Sequence, residues 1–378
     1  MKKIFLAILV VLVSFVKVQA QDDSNPITTA APFLLIAPDA RAGGMGDIGV
    51  ATAPDSFSQH YNAAKYAFHP YQFTIGVMYT PWLRELTDDV FLGGVSFANR
   101  IDDRSAWAAS LKYFNLGEIQ LTDDFGGDQG TENLNEFSLD GSYSMKLSET
   151  YSMGVTLRYI RSDLGIKSGD TDLSAVNTFA VDISGYFESD EANYGDFNGV
   201  WRAGFNISNI GPKVSYTNDD NENFIPTNLR IGGGFDFILD SYNKVGVFAE
   251  FNKLLVPTPS VSEDGEPPYT QEDSGFFEGM LASFGDAPGG FSEEIEEFTW
   301  ALGAEYLYDD SFAVRAGYFN ESDTKGARKY FTLGTGFKFK STRLDMSYLF
   351  NASDINNPLE NTLRFSLSFD FGDMFEYY

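Results

Sequence analysis

Residues 363–371 alternate without a break: Leu363, Phe365, Leu367, Phe369 and Phe371 lie on one side of an extended chain, and Arg364, Ser366, Ser368 and Asp370 on the other. A strand points successive side chains to opposite faces, so this segment carries one apolar and one polar surface. Leu344, Met346, Tyr348 and Phe350 repeat the pattern against Arg343, Asp345 and Ser347, as do Trp201, Ala203, Phe205 and Ile207 against Arg202, Asn206 and Ser208. About fourteen such segments follow one another, starting near Tyr71, Val90, Arg104, Asn135, Thr150, Ala175, Val200, Thr227, Asn243, Phe298, Ser311, Lys329, Thr342 and Asn361. Patterning of period two, sustained this long, marks half-buried strands and an all-β fold. Soluble sandwiches and propellers also alternate, but a propeller repeats every ~40–50 residues, and no such period is present.

Export and composition decide what the apolar faces meet. The chain starts Met1-Lys2-Lys3, runs apolar from Ile4 to Val16 and reaches Val18-Gln19-Ala20. A basic start, a short apolar core and small residues at the break describe a secretory signal peptide over 1–20, cleaved after Ala20. Losing Lys2, Lys3 and Lys17 takes the formal charge from −28 to −31. So acidic a chain excludes nucleic acid, whose phosphates need a basic surface. With no cysteine, neither a lipid-modified cysteine nor a disulfide is available. No later stretch has the ~18 apolar residues of a membrane helix, yet there are 35 Phe, 20 Tyr and 36 Gly. An exported chain of aromatic strands without a membrane helix fits a transmembrane outer-membrane β-barrel of antiparallel strands.

The connections fall into two alternating classes. Ser148-Glu149, Asp240-Ser241, Asp309-Asp310 and Ser341 are tight turns, whereas Glu118–Asn133, Ile210–Pro226 and Leu255–Glu297 are long. Short turns on one side and long loops on the other are the periplasmic and extracellular ends of such a barrel. An even strand count then places both termini in the periplasm. Asp190 to Asn198 is long for its class. A Lys or Arg on the lipid face at the bilayer midplane costs ~2–4 kcal/mol, so the polar rows must face the lumen. That set includes Asp140, Arg158, Asp182, Arg202, Arg230, Asp236, Glu250, Glu305, Arg315, Lys338, Asp345, Arg364 and Asp370. Interleaved charges of both signs suit bracing a plug better than passing apolar molecules.

The plug is the segment before the first strand. Pro38-Asp39-Ala40-Arg41-Ala42-Gly43-Gly44-Met45-Gly46-Asp47-Ile48-Gly49 concentrates glycines that make poor helix and poor strand. Such a stretch takes its shape from its surroundings. The expected organisation is an N-terminal extension and hatch over 21–70, within a barrel over 71–378. Arg41 or Asp39 is expected to pair with opposite charges on the wall. Gly44-x-Gly46-x-x-Gly49 matches a dinucleotide fingerprint, but no helical pattern follows as a βαβ unit requires.

No catalytic constellation emerges. His60 and His69 are the two histidines, and neither has partners at ligand or triad spacing. Ser322-x-x-Lys325 matches a β-lactamase-like fragment but sits in a predicted loop without its companion motifs. Asp123-Asp124 and Asp219-Asp220-Asn221-Glu222 could hold calcium through oxygen ligands, although solvated acidic loops are commoner. No enzyme activity, cofactor or metal is expected.

Pro32-Phe33-Leu34-Leu35-Ile36-Ala37-Pro38-Asp39-Ala40-Arg41-Ala42-Gly43-Gly44-Met45-Gly46-Asp47, followed by Val50-Ala51-Thr52, closely resembles the PorV family. These are outer-membrane barrels of the type IX secretion system of Bacteroidetes, similar in turn to the FadL-type barrels with their N-terminal hatch. His60-Tyr61-Asn62-Ala63-Ala64 falls where those barrels often carry an aromatic-Asn-Pro-Ala run, with Ala63 in place of the proline. The resemblance implies a non-enzymatic outer-membrane protein. It would bind cargo with C-terminal signal domains at the giant translocon barrel and carry it to the surface attachment complex. Contact with outer-membrane lipid and lipopolysaccharide follows from the location. The alternative is a FadL-like channel for hydrophobic compounds, which needs a continuous apolar pocket.

The longest loop, 255–297, opens with Pro257, Pro259, Glu263, Asp264, Glu266, Pro267 and Pro268. It continues with Phe276, Phe277, Met280, Leu281 and Phe284 before the acidic run Glu293–Glu297. Phe277, Met280, Leu281 and Phe284 stand at i, i+3, i+4 and i+7, one face of a short helix. This face either folds onto the barrel rim or anchors a partner, since aromatic and Met side chains dominate such interfaces.

Overall fold

The computed structural model describes residues 24–375 except 83–86, 88, 123–126, 165–166, 169–170, 173, 218–221, 260–273 and 354–360. The signal peptide and its cleavage site lie outside the described residues. So do Asp123-Asp124, three of the four residues of the 219–222 cluster, and the acidic part of the proline-rich stretch.

The wall is formed by β1 (Tyr71–Pro81), β2 (Phe91–Arg100), β3 (Ser105–Thr122), β4 (Asp128–Lys146), β5 (Tyr151–Asp163), β6 (Val176–Glu188) and β7 (Asn198–Ile210). It continues with β8 (Asn228–Ile238), β9 (Asn243–Leu254), β10 (Phe298–Tyr308), β11 (Phe312–Asn320), β12 (Lys329–Phe339), β13 (Thr342–Asn351) and β14 (Leu363–Met374). The sheet has fifteen strands, one of them the two-residue flap Ala192–Asn193, which leaves fourteen in the wall. Each strand is antiparallel to its neighbours, and β14 pairs with β1 from Tyr71↔Met374 to Tyr79↔Phe365, closing the barrel. Closure removes the unpaired edges that lipid cannot solvate.

The alternating faces sort as the bilayer demands. Val155, Leu157, Phe179, Ile231, Leu302, Leu333 and Phe337 are exposed on the outside, whereas Arg158, Asp182, Arg230, Glu305, Arg315 and Asp345 are buried inside. Tight turns close the short-turn end. At Asp309-Asp310 both residues have positive φ, 52° and 47°, the twist that suits a two-residue hairpin. The 190–198 connection is longer because it folds back outside the wall, where Tyr194 and Phe197 pack on Phe235.

Two expectations need correction. Residues 118–133 are not a free loop: β3 and β4 keep pairing from Gly117↔Leu134 to Thr122↔Asp128. A bulge at Asn115/Gly117, with Gly117 at φ +84°, bends this hairpin beyond the rest of the wall. The two ends of the described chain also lie at opposite ends of the barrel. Phe375 is at the short-turn end with Pro70, but Asn25 bonds Thr324 of the long β11–β12 connection. An even strand count fixes where β1 starts. It says nothing about an extension that runs back through the lumen.

That extension fills the barrel. It contains a 3-10 turn (Pro32–Leu35), helix α1 (Ala40–Gly43), helix α2 (Ser58–Tyr61) and a second 3-10 segment (Ala63–Phe68). Nearly all residues from Ala37 to Phe68 are buried or half-buried. At the long-loop end the 255–297 connection folds into helices α3 (Phe276–Ala282) and α4 (Phe291–Glu296), the cap.

Candidate functional site: a braced plug and an exposed cap

The plug begins with a capped turn. Asp39 accepts the Ala42 N–H (2.9 Å) and so starts α1, which leaves Arg41 to reach the wall. Its guanidinium donates to both oxygens of Glu305 on β10, at 3.2 and 2.9 Å. It also pairs with Asp55 of the plug at 2.8 Å. Glu305 in turn holds Arg315 (2.6 Å), and Arg315 holds Asp345 (2.7 Å). The result is a five-membered chain of alternating charge from plug to β13. Asp39 stays within the plug and has no cationic partner on the wall among the described residues. Asp47 bonds Arg364 of β14 and accepts from Tyr330 of β12 at 2.7 Å. Glu250 of β9 accepts the N–H groups of Gly49 and Val50, each at 2.9 Å, while Arg230 pairs with its other oxygen.

Glycines make these bonds reachable. A Cβ on Gly44 would lie 2.9 Å from Gly334 Cα, and one on Gly317 would lie 2.1 Å from the Met45 carbonyl carbon. Gly46 sits at φ +74° against Tyr318. Gly43 faces the Arg364 side chain, and Met45 is buried with Ile48, Phe248, Ala301 and Phe319. The plug backbone thus lies directly on the wall backbone. The wall glycines Gly303, Gly317 and Gly334 escaped the sequence reading. Their signal was there, as glycines on the inward rows of β10, β11 and β12.

Several inward charges are spent on one another instead. Arg158 joins Asp140 (2.7 Å) to Asp182 (3.0 Å) without touching the plug. Arg202 pairs with Glu188 and Asp236. A cavity of about 30 Å³ remains beside this group, lined by Pro38, Phe57, His60, Met78, Lys112 and Asp140. It has room for one or two waters. At the long-loop mouth Phe33 and Leu34 are buried with Trp82, Leu92, Phe114, Ile160 and Ile225, so the plug's own side chains fill this apolar cluster.

The cap docks by a glycine. Gly279 of α3 abuts Phe224 and Pro257, which turns the larger side chains outward. Phe277 is 66% exposed, Leu281 69% and Phe284 50%, while Phe276 and Met280 are half-buried. Phe291 (80%) and Ile295 (55%) of α4 are exposed as well. Their i, i+4 spacing could have been read from the sequence. Beneath α4, Lys253 holds Glu294 (2.7 Å) and Glu297 (2.6 Å), and Lys325 holds Glu293 and Glu297. Asp286, Glu294 and Glu297 come within 4.8 Å of one another, but the Lys253 ammonium already lies against two of them, where a cation would sit. Burial, with Glu297 and Glu294 nearby, pushes the Asp286 carboxyl up. Burial would also raise Glu293, but its bonds from Lys325 and the Gly289 N–H outweigh this and hold it below the usual range.

Comparison with known proteins fits this geometry. Residues 19–261 match the family model described as "Type IX secretion system protein PorV". No curated protein sequence matches. Among solved structures, the TodX deltaS2S3 mutant monoaromatic hydrocarbon channel aligns with TM-score 0.54 at 12% identity, over 89% of this chain and 100% of that one. The Ralstonia pickettii toluene transporter TbuX aligns with TM-score 0.51 at 12% identity, over 89% and 98%. Identities this low establish a shared barrel architecture and nothing about what is transported. The family match covers well over half of the sequence and includes the whole plug: the chain belongs to the PorV family of type IX secretion system outer-membrane β-barrels.

Proposed function

We propose that this protein is a non-enzymatic carrier of the type IX system. It binds cargo bearing C-terminal signal domains at the giant translocon barrel and delivers it to the surface attachment complex. The observation that carries this reading is the outward apolar face of the cap, Phe277, Leu281, Phe284, Phe291 and Ile295, at the mouth of a plugged barrel. An apolar patch of this kind displayed in water marks an interaction site. The plug supports the same reading, because a protein that works through its outer surface has no need of an open lumen. The mature chain comprises the hatch region from residue 21 to 70 and the barrel from 71, with lipid and lipopolysaccharide around the wall.

Replacing Phe276, Phe277, Leu281 and Phe284 with Ser tests it. The barrel is expected to fold, to show normal heat-modifiability, and to lose co-purification with the translocon. Normal co-purification with normal secretion would reduce the cap to a lid.

A channel for hydrophobic compounds is the second reading, favoured by the architecture shared with hydrocarbon channels. Against it, the apolar cluster at the mouth is occupied by Phe33 and Leu34. Deletion separates the two. Loss of many secreted surface proteins supports the carrier, and loss of growth on fatty acids alone supports the channel.

A further inference from the structure

The first described residues lie among three long connections. The Asn25 N–H donates to the Thr324 carbonyl in the β11–β12 loop (2.9 Å). The Asn25 Nδ2 donates to the Pro259 carbonyl (3.1 Å) and to Glu293 Oε1 of α4 (3.3 Å), both in the cap loop. Ala30 N–H donates to the Phe224 carbonyl (2.9 Å) and Ala31 N–H to the Tyr216 hydroxyl (3.2 Å), both between β7 and β8. The plug leaves by the opposite end, where Arg100 donates to the His69 carbonyl (2.8 Å) and Phe375 N–H to the Pro70 carbonyl (2.9 Å). Residues 24–70 therefore run the full height of the barrel, from long loops to short turns. Long loops of outer-membrane barrels face outward.

We infer that residues 24–31 lie on the extracellular face, where they act as a latch over the cap. Glu293 and Glu296 are the points of attachment. Glu293 receives Asn25 and Lys325, and Glu296 accepts the Thr324 hydroxyl at 2.6 Å. Thr324 is also the residue that Asn25 binds. The latch, the β11–β12 loop and α4 thus form one hydrogen-bonded unit, and freeing residues 24–31 is expected to loosen α4. This device holds whether or not the cap meets a secretion partner.

The chain has no cysteine, so a single introduced thiol reports its own location. Ser24 and Thr28 are exposed, as are Ser292 in α4 and Ser148 in a short turn. With a membrane-impermeant maleimide on intact cells, Ser24→Cys and Thr28→Cys are expected to label as fully as Ser292→Cys. Ser148→Cys is expected to label only after the outer membrane is permeabilised. If Ser24→Cys and Thr28→Cys follow Ser148→Cys, or label in neither condition, the extracellular placement of residues 24–31 is overturned. The latch has its own readout: Asn25→Ala should raise several-fold the rate at which added protease cuts the cap loop, with heat-modifiability unchanged. An unchanged rate overturns the latch.

Discussion

The wall from β9 to β14 meets the plug with paired charges, Ser366 and Thr332 adding hydroxyls, whereas the wall from β1 to β6 offers hydroxyls, small side chains and unpaired-to-plug cations. These are Lys112, on the Phe33 and Leu34 carbonyls, and Arg100, on that of His69, and among the described residues no plug carboxylate faces them. On the first side stand Arg41–Glu305, Asp47–Arg364 and the Glu250 carboxylate on two backbone N–H groups. On the second, Ser96 donates to the Ser56 carbonyl (2.6 Å), Ser142 to Gln59 (2.6 Å) and Ser152 to the Ala64 carbonyl (2.8 Å), while Ser184 accepts the Ala64 N–H (3.2 Å). Ala63 and Tyr66 pack on Ala98, Ala106 and Ala108, and Ala64, Ala67 and Phe68 pack on Tyr186. Asp140, Arg158 and Asp182 of β4 to β6 pair with one another within the wall instead.

The difference is one of specificity against fit. A neutral hydrogen bond contributes ~1 kcal/mol net and a neighbouring hydroxyl can replace it. A buried charge pair adds little over an apolar substitute, but leaving one partner alone is costly. The charged side therefore admits one placement of the plug. The serine and alanine side fills the space once that placement is made.

Three substitutions would break or sharpen the contrast. Arg41→Ala removes the guanidinium that bridges Asp55 and Glu305, leaving the buried Glu305 to Arg315 alone. The expected loss is ~3–5 kcal/mol, read as a lower heat-modifiability midpoint on gels. An unchanged midpoint would mean that the charged side does not fix the plug. Gly317→Ala presses a methyl group into the Met45–Gly46 backbone and should cost ~1–3 kcal/mol. Planar-bilayer conductance checks it: the parent should show no large steady pore, and the variant should show openings as the plug is pushed away. A closed, fully stable variant would show that the backbone contact has slack. Ser152→Ala should be the mildest, ~1 kcal/mol, with the midpoint nearly unmoved and no conductance. A loss equal to that of Arg41→Ala would erase the distinction between the two sides.

Much of this could be read from the residues in order. The alternation at 363–371 and 342–350 gives wall strands because each inward charge would be expensive in lipid. The glycines at 43–49 identify a segment that must borrow its shape. The 118–133 stretch reads as a loop because its residues are polar. Strand pairing beyond the membrane requires no apolar face, so the pattern there is weak. The spacing of Met280 and Leu281 gives one helical face, but spacing cannot say which face turns inward. Gly279 decided that by docking on Phe224 and Pro257.

By itself the sequence determined the barrel, the parity of its connections and the presence of an internal segment, because each follows from local periodicity, loop length or backbone entropy. The tertiary structure alone decided which wall charges face the plug and which cancel one another. It also decided that Gly303, Gly317 and Gly334 receive the plug backbone, and that the chain enters the lumen from the long-loop end. These depend on residues far apart in sequence meeting across a closed barrel. No local pattern records the register at which they meet.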